Sequence, residues 1–546
     1  MSAQYLLKEF FTIDQPLGDV QAVHGLNDRE VFRRYFHQAN RPFEQVKSHP
    51  TMIVGRRGSG KTDALLSHRF VPHRIGNYDP LVYFDAERAA RTFQTILVRI
   101  NDQIRVDEPK PMVEQVAALW SYVLWLSVFQ QIASVDDDEP SVVQIREFVR
   151  AHDLDIINLD PYEAALRGLS TLILKYESLP EKEKLFGFFQ RFDRLDLCDI
   201  SFTEAKDATH RYLMRNSKRG IILFDSFEQL NVTQEETRLT LSGLLRGISQ
   251  FTGSSTMVDI RCCIPAEAFF YLTELSSNVL KDFQRHTVLH WSAMEILQLC
   301  AKRYAAFLEL HHGRTVQDLT GNVSALETRD GTIAFWEHFL PKEVPNTHPG
   351  IMEPTIPYLL RHTQLLPRQM ILMLNKCFSD HFGSGLTIDD KLRPKSISAA
   401  VKETEARIYN EIISAHQFIW PSAIEQVPQV LKRIGSNVCR YGDMHRAFNQ
   451  SSVKGYGNVF EFEDFLRMLT EIGGVGRLIQ RNRNYIKAQF EYSEPFRLLF
   501  NDTDELCIHP CFTRVARVIT EATAPPSYCP VYPLGAQLDD PDRRDL

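Results

Sequence analysis

The sequence predicts an α/β protein centred on a parallel β-sheet with helices on both faces. Two observations predict this fold class. Apolar runs that read as buried strands alternate with helical patterns, and a glycine-rich loop stands between the first such run and a helix start. A third observation extends the prediction, because helical patterns and one short hairpin pattern fill the second half of the chain. We therefore expect the sheet first and mainly helical modules after it.

The composition is that of an ordinary globular protein. Of 546 residues, 44% are hydrophobic and 24% are charged, which excludes a largely disordered chain, a collagen-like fibre and a coiled-coil rod. Nine cysteines are too few for a disulfide scaffold, so we expect reduced thiols and a cytoplasmic protein. The net charge of -7 means that any nucleic-acid contact would need a local basic patch.

One segment, Gln115 to Val135, carries no charged residue and is long enough to cross a hydrocarbon layer. Its glutamine and serine residues would all enter the bilayer, and an acidic run rather than a basic anchor follows it. The first 16 residues contain charges and lack the uninterrupted apolar core of a signal peptide. We expect a buried helix and no membrane association.

The elements of the core follow in chain order, after a helical stretch from Asp28 to Gln45. The expected strands are short apolar runs, at residues 51–54, 81–85, 221–224, 258–264 and 287–290. Helical patterns fill most of 88–216, as an insertion, and 235–248. The amphipathic stretch Ser292 to Leu310 is expected to close this core.

Residues 55–62 form the strongest motif in the chain, because they fit G-x-x-x-x-G-K-[ST] at every fixed position. Glycines let the backbone curl until successive N–H groups point at phosphate oxygens, and the following helix adds its dipole. Lys61 would reach the β- and γ-phosphates, and Thr62 would bring its hydroxyl to Mg²⁺. The expected nucleotide-binding residues are those of the whole loop: Gly55, Arg56, Arg57, Gly58, Ser59, Gly60, Lys61 and Thr62.

A phosphate loop needs an acidic residue on a neighbouring strand to hold Mg²⁺. Asp225 follows an apolar run and is the expected partner of Thr62 at the metal. Hydrolysis also needs a base that orients water, usually a glutamate adjacent to that aspartate. Ser226 occupies the adjacent position and the glutamate comes at Glu228, so either Glu228 swings into place or hydrolysis is slow.

ATP is the expected nucleotide. Guanine specificity would need an Asn-Lys-x-Asp run, and the nearest approach, beginning at Asn375, has Phe378 in place of the aspartate.

Through these motifs the chain resembles the AAA+ and STAND branches of P-loop ATPases, particularly the prokaryotic ATPases that look like origin-recognition initiators. The resemblance implies a helical lid whose Pro-Arg step places Arg368 on the γ-phosphate, with Arg361 as the alternative. It also implies a small polar sensor after the strand that ends near Pro265. Arg285 stands where oligomeric relatives supply an arginine finger in trans.

After Lys402 the pattern changes to three helices, at residues 404–415, 423–434 and 460–472, followed by a hairpin at 478–490. This resembles a winged helix-turn-helix. The basic residues of the hairpin are the DNA-binding candidates: Arg477, Arg481, Arg483 and Lys487. The third helix is acidic for a groove reader, so a protein-facing module and a merely solvated hairpin remain alternatives.

The segment Cys507 to Cys511 holds two thiols and an imidazole, but it lacks the two-residue gaps and the fourth ligand of structural zinc. We expect inward packing there, as for the Cys262–Cys263 pair.

These observations divide the chain into five expected regions. They are an N-terminal helical segment (1–48), a P-loop ATPase core with a helical insertion (49–291), a helical lid domain (292–400), a winged-helix-like domain (401–515) and a Pro-rich acidic tail (516–546).

The expected function is an ATP- and Mg²⁺-dependent molecular switch that hydrolyses ATP and controls double-stranded DNA binding or self-association through the winged-helix-like module. One alternative is a STAND-like signalling or defence ATPase that binds a protein and activates an effector on another chain. Another is a nucleotide-binding scaffold without turnover.

Overall fold

A computed structural model describes residues 3–20, 51–70, 78–85, 113–151, 200–225, 235–251, 257–267, 269, 286–346, 351–417, 420–451, 461–493, 498–519 and 528–538. The chain divides into two compact units. We call Gln45–Gly55 with Lys61–Val288 the core unit, and Met1–Glu44, Arg56–Gly60 and Leu289–Leu546 the C-terminal unit. The core unit ends at Val288, and the sequence prediction placed the end of the core at 291.

The core unit is built on a five-stranded sheet in which every pairing is parallel. Its strands are β1 (Met52–Gly55), β2 (Tyr78–Asp85), β3 (Arg219–Asp225), β4 (Val258–Pro265) and β5 (His286–Val288), in the spatial order β2-β3-β4-β1-β5. One strand, β4, thus separates β1, which precedes the glycine-rich loop, from β3, which ends at Asp225. All five strands were expected from the sequence within three residues at each end.

Helices cover both faces of this sheet, as predicted. They are α2 (Lys61–Phe70), α3 (Val113–Ala133), α4 (Pro140–Ala151), α5 (Phe202–Arg215) and α6 (Glu235–Phe251). Even-numbered strand residues, such as Val54, Ile222 and Ile260, pack into one apolar cluster with α3 and its neighbours. Successive strand residues face opposite sides. On the other face, the Cys263 thiol donates to the Lys61 carbonyl at the start of α2, over 3.3 Å.

The apolar segment near residue 115 is a core helix. Among the described residues, α3 is the one helix long and apolar enough to span a membrane, and most of it is buried within the core unit. Helix α6 approaches it closely, because a Cβ at Gly243 would lie 2.4 Å from Cγ1 of Val116. The Trp120 indole donates to the Thr240 carbonyl at 3.1 Å, which satisfies its N–H inside the core.

The first part of the C-terminal unit is helical, with α1 (Ala3–Phe10), α7 (Ala293–His312), α8 (Val316–Thr320), α9 (Arg329–Phe339), α10 (Thr355–Arg361), α11 (Pro367–Gly383) and α12 (Pro394–Ala415). Two short strands, β6 (Glu343–Pro345) and β7 (Met352–Pro354), pair antiparallel. A capping box of Ser292 and Glu295 starts α7, so this helix was predicted correctly as an element. It belongs to the C-terminal unit rather than closing the core, which corrects the sequence prediction.

Asn375 has a structural role at the N-terminal segment. Its carboxamide accepts from the Leu17 N–H at 2.8 Å and donates to the Gly18 carbonyl at 2.9 Å. Both bonds are buried, so this asparagine fixes residues 17–18 on α11.

The second part contains helices α13 (Ala423–Ile434), α14 (Tyr441–Asn449), α15 (Phe462–Glu471) and α16 (Pro510–Val515). Its strands are β8 (Val438–Arg440), β9 (Val475–Arg481), β10 (Ile486–Gln489), β11 (Glu505–Ile508) and β12 (Val531–Pro533), in the order β12-β10-β9-β11-β8. The predicted three helices and the β9–β10 hairpin are present. However, β11 stands between β9 and β8, and β12 adds to β10, so the hairpin is the centre of a sheet and not a free wing.

Two expected boundaries need correction. Helix α12 runs through residues 400 and 401, so no break separates lid and winged-helix-like regions there. The expected tail from 516 is also wrong at its start, because Val531, Tyr532 and Ala536 are buried and β12 is part of the sheet.

Candidate nucleotide-binding site

The glycine-rich loop joins β1 to α2, as its motif predicts. Gly58 and Gly60 have φ angles of 90° and 83°, which lie in the left-handed region that glycine adopts without penalty. The Ser59 N–H donates to the Arg56 carbonyl at 3.0 Å and closes the turn. The loop therefore has the curled backbone that can turn amide groups toward a bound anion.

Lys61 begins α2, where the helix dipole favours an anion. Its ammonium group donates to the Gly55 carbonyl at 2.9 Å, and the side chain is only 6% exposed. The cation is thus held inside the curve of the loop, at the position from which a lysine would reach the phosphates.

Thr62 and Asp225 meet in the core unit. The Thr62 hydroxyl donates to Oδ2 of Asp225 at 2.8 Å, although the two residues are 163 positions apart. Asp225 ends β3 and is buried. A hydroxyl and a carboxylate are oxygen donors of the kind that Mg²⁺ prefers, and Mg²⁺ sites usually take one or two carboxylates plus phosphates and water. The residues present therefore fit the metal that the motif implies.

The tip of the loop, residues 56–60, belongs to the C-terminal unit and is held by other residues of that unit. The Trp291 indole donates to the Ser59 carbonyl at 2.8 Å, and the Arg368 N–H donates to the Gly58 carbonyl at 3.3 Å. A Cβ at Gly58 would stand 2.9 Å from Cβ of Arg368, so this contact requires glycine. These two hydrogen bonds, to the Gly58 and Ser59 carbonyl groups, hold the backbone at the tip of the loop in place.

Arg361 and Arg368, the two arginines expected at the γ-phosphate, have different surroundings. Arg368 lies against the loop tip, and its Nε donates to the Val20 carbonyl at 3.3 Å. Arg361 forms a buried bidentate pair with Glu353, with both N–O distances at 2.8 Å. The side chains of Arg361 and Glu353 are each 3% exposed. Arg361 therefore belongs to a structural ion pair and is not the alternative phosphate sensor that the sequence suggested.

Several predicted residues lie outside the described part of the chain, namely Ser226, Glu228 and Arg285. The strand β4 does end at Pro265, which is in register with Gly55 of the loop. At the same edge of the sheet, Asp85 at the end of β2 is in register with Asp225.

The basic hairpin is partly neutralised by the strand beside it. Arg477 bonds to Asp504 at 3.2 Å and Arg481 to Glu505 at 3.0 Å. The sequence shows no acid between the basic residues, but Asp504, directly before β11, and Glu505, its first residue, lie beside them. Arg483 is exposed in the turn of the hairpin, and Lys487 is partly buried on β10.

Helix α15 is poorly suited to reading a groove. Six of its ten residues are buried. Its first turn carries Glu463 and Asp464, and the preceding Glu461 is exposed. A phosphate backbone would be repelled by this end of the helix.

The segment with two thiols and an imidazole is packed inward, as expected. Cys507, His509 and Cys511 are completely buried. The Cys511 thiol donates to the His362 carbonyl at 2.6 Å, and Nδ1 of His509 accepts from the Cys511 N–H at 3.2 Å. Within the described ranges no group of three metal-ligating side chains occurs.

Sequence reasoning identified Lys61, Thr62 and Asp225, but it missed Trp291 and the contacts of Arg56. Trp291 directly precedes the capping serine of α7, and that position alone carries no functional signal.

No protein-family model matches the chain, and no curated protein matches it. The chain is similar over most of its length to solved structures of the Aeropyrum pernix ORC2 protein, in its ADPNP–ADP complexes (14% identity, 86% of each chain, TM-score 0.39) and its ADP form (14%, 88% of this chain and 90% of that one, 0.32). It is also similar to CDC6P from Pyrobaculum aerophilum (10%, 90% and 97%, 0.27).

Proposed function

We propose that the protein is an ATP-binding switch of the P-loop class that uses Mg²⁺ and hydrolyses ATP slowly. The observation that carries this proposal is the 2.8 Å bond between Thr62 and Asp225 beside a loop with two left-handed glycines. A chance match to the motif would not bring an acid from a distant strand to the threonine.

Each residue has a separate task in this proposal. Loop amides and the start of α2 bind phosphate oxygens, and the Lys61 ammonium neutralises their charge. Thr62 and Asp225 hold Mg²⁺, which when bound neutralises charge on the transferred phosphoryl group. Arg368 is proposed to respond to the third phosphate, and its contact with Gly58 supports that role.

Slow turnover follows from the sequence around Asp225. Ser226 replaces the adjacent glutamate, and Glu228 is the proposed residue that orients water, with Asp225 beside it. A protein that keeps ATP for a long time is suited to act as a switch, because the bound state persists until a partner triggers turnover.

We further propose that the switch operates in the cytoplasm and controls DNA binding or self-association. Arg483 and Lys487, with Arg477 and Arg481, are the proposed phosphate contacts. Affinity for double-stranded DNA would then fall steeply with salt, and changing Arg481 and Arg483 to Ala would lower it without affecting ATP binding. Unchanged filter binding in that variant would reject the DNA role.

A second candidate is a signalling or defence ATPase that binds a protein through its C-terminal module, by which we mean helices α13–α16 with strands β8–β12. The ion pairs of Arg477 and Arg481 with β11 favour it, since these cations are already matched by acids. The acidic start of α15 favours it as well. A separate effector chain would then carry the output.

Calorimetry with Mg²⁺ and ATP tests the central proposal. We expect binding by the wild-type protein, loss of it in Lys61→Ala, and loss of its Mg²⁺-dependent part in Thr62→Val but not in Thr62→Ser. Absence of ATP uptake by the folded wild-type protein would reject the proposal.

A phosphate-release assay then separates a switch from a scaffold. A scaffold would show no turnover and no effect of Glu228→Gln. Mass photometry with ATP, ADP and no nucleotide would show whether the third phosphate drives assembly.

A further inference from the structure

The arginine at the second position of the loop extends away from the loop and into the C-terminal module. Nη1 of Arg56 donates to Oε1 of Gln364 at 3.1 Å, and Nη2 donates to the Glu471 carbonyl at 2.7 Å. The guanidinium carbon also lies 5.4 Å from the centre of the Tyr492 ring. One loop side chain therefore contacts the turn before α11, the end of α15 and the segment after β10.

The groups that receive Arg56 are themselves fixed. Gln364 donates from Nε2 to the Ile472 carbonyl at 2.8 Å, and its N–H donates to Gln369 at 2.6 Å. Gly473 has a φ of 71°, and a Cβ there would lie 2.5 Å from Nε2 of Gln364 and 3.3 Å from Nη1 of Arg56. A side chain at this position would crowd Gln364 first and Arg56 less, so the backbone after α15 lies close to both partners of the contact.

The backbone of Arg56 belongs to the same turn that would surround phosphates. Its carbonyl accepts from the Ser59 N–H at 3.0 Å, and the next carbonyl groups along the tip accept from Arg368 and Trp291. A shift of the Arg56 side chain therefore moves the turn whose amides would bind the nucleotide. Conversely, a nucleotide that fixes the turn also fixes the end of α15.

We propose that Arg56 couples nucleotide occupancy of the loop to the order of the C-terminal module. This proposal rests on the proposed function, because it concerns regulation of the same site. Coupling between two sites is reciprocal, so loosening the module must weaken nucleotide binding by the same factor as nucleotide binding orders the module. Arg56 acts here as a positioning residue, through the turn and through the module.

The test measures ATP affinity by calorimetry and hydrogen exchange of residues 461–493 with and without Mg²⁺ and ATP. In Arg56→Ala we expect ATP affinity to fall about tenfold, roughly 1.4 kcal/mol, and the ATP-dependent protection of the module to be lost. Arg56→Lys keeps the charge but loses the planar fork, so its loss should be smaller. It also serves as the readable variant if Arg56→Ala unfolds.

The matched control is Arg467→Ala. Arg467 is an exposed arginine of α15 that pairs with Asp464 at 2.6 Å and lies 5.4 Å from the Trp420 ring, so its truncation removes a guanidinium group from the module but no contact to the loop. Its ATP affinity and protection should equal those of the wild type. On the module side, Tyr492→Leu should weaken ATP binding, and its combination with Arg56→Ala should be less than multiplicative.

The outcomes separate the two proposals. If the wild-type protein takes up no ATP, the proposed function fails before the coupling is reached. If the wild-type protein binds ATP and Arg56→Ala or Arg56→Lys keeps both its affinity and the protection of 461–493, the coupling is overturned and the proposed function stands. Equal losses in Arg467→Ala would also overturn it, because they would show a general softening of the module.

Discussion

At the scale of single residues, the shape of the loop depends on a side chain that is not expected to bind phosphate. Trp291 contributes a single N–H, which reaches the Ser59 carbonyl at 2.8 Å. Its ring also lies 3.8 Å from the place where a Gly60 Cβ would stand. The indole thus holds the turn both by a hydrogen bond and by contact.

Replacing Trp291 with Phe separates these two contributions. Phe keeps most of the ring and removes the N–H, which leaves the Ser59 carbonyl without this donor. We expect ATP affinity to fall about fivefold, roughly the 1 kcal/mol that a neutral hydrogen bond contributes. Trp291→Leu, which removes the ring as well, should lose more, and calorimetry with Mg²⁺ and ATP measures both. Equal affinities for wild type and both variants would show that Trp291 does not shape the loop.

The residues that the sequence identifies at this scale are those whose chemistry is local. Lys61 and Thr62 are fixed by the spacing of the motif, and Asp225 by its place after an apolar run. Arg56 and Trp291 could not be assigned in this way, because their hydrogen-bond partners lie between 232 and 415 positions away along the chain. No pattern near either residue encodes such a partner.

At the scale of elements, the loop uses its two left-handed glycines differently. At Gly58 an added Cβ would meet the backbone-proximal carbon of Arg368 at 2.9 Å, whereas at Gly60 the nearest atom is a ring carbon at 3.8 Å. Both positions share the backbone strain of a positive φ, but only Gly58 adds a steric conflict with α11.

Comparing Gly58→Ala with Gly60→Ala therefore isolates the contact between Gly58 and Arg368 of α11. We expect each variant to lose about 1–2 kcal/mol of stability from the left-handed backbone, and Gly58→Ala to lose more because Arg368 must move. Thermal unfolding measures the stability of each variant, and calorimetry measures its ATP affinity. Identical losses in both variants would mean that the Arg368 contact is not needed.

The last strand, β12, shows an element that sequence periodicity did not reveal. Its three residues follow a Pro-rich stretch that reads as a tail, yet Tyr532 is buried and its hydroxyl donates to Glu353. That carboxylate also binds Arg361 and accepts from Asn346 at 2.5 Å. The strand is specified by one buried network and by pairing with β10, and neither has a local pattern.

Removing the Tyr532 hydroxyl tests this network. In Tyr532→Phe, Glu353 keeps its charge and its pair with Arg361 but loses one buried donor. Burial alone would raise the pKa of Glu353, but the charge and hydrogen bonds of Arg361 and the bond from Tyr532 hold that pKa below its ordinary value. We expect a loss of about 1–3 kcal/mol, typical for a hydrogen bond to a charged group, in urea unfolding. Tyr5→Phe is the control, because the Tyr5 hydroxyl bonds to Glu9 at an exposed site of α1, and it should lose much less than Tyr532→Phe. A loss no larger than that of the control would show that residues 528–538 contribute little.

At the scale of the whole molecule, the sequence predicted the order of modules better than their boundaries. The strands and helices of the core were expected in the observed order, because their alternation is a strong local signal. The C-terminal sheet was predicted only as a hairpin, since β11 and β12 join it by pairing across long stretches of chain. Such pairing is decided by tertiary contacts rather than by the periodicity of either strand.

The C-terminal unit also predicts how stability depends on pH. His509 is completely buried, and burial, with the nearby positive charges of Arg361 and Arg56, lowers its pKa to about 3. Burial likewise lowers the pKa of His362. A histidine that stays neutral when folded but binds a proton when unfolded makes the protein less stable as pH falls below its unfolded pKa of about 6.5. His509 should therefore cost about 1.4 kcal/mol at one pH unit below that value.

The acidic groups act in a lower range. Burial alone would raise the pKa of Glu405, but the hydrogen bonds to His362 and Arg514, with the charge of Arg514, outweigh it and hold that pKa below its ordinary value. A carboxylate with a lowered folded pKa stabilises the protein above its unfolded pKa of about 4.3, and this contribution is lost as pH falls further. The loss of stability between pH 7.5 and 5.5 is therefore caused by the histidines and not by the carboxylates.

The variant His509→Asn isolates one of these histidines. Asparagine keeps a side-chain acceptor for the N–H two residues later, which is the bond that His509 makes to Cys511 at the start of α16, but it does not titrate. We expect urea unfolding of the wild type to show a loss of stability from pH 7.5 to 5.5, and the variant to lose about 1.4 kcal/mol less over the same interval. His338→Asn, an exposed histidine at the end of α9, should leave the wild-type slope unchanged. A slope in His509→Asn equal to that of the wild type would show that this imidazole takes up its proton in the folded protein, and that its burial does not set the acid limit of the C-terminal unit.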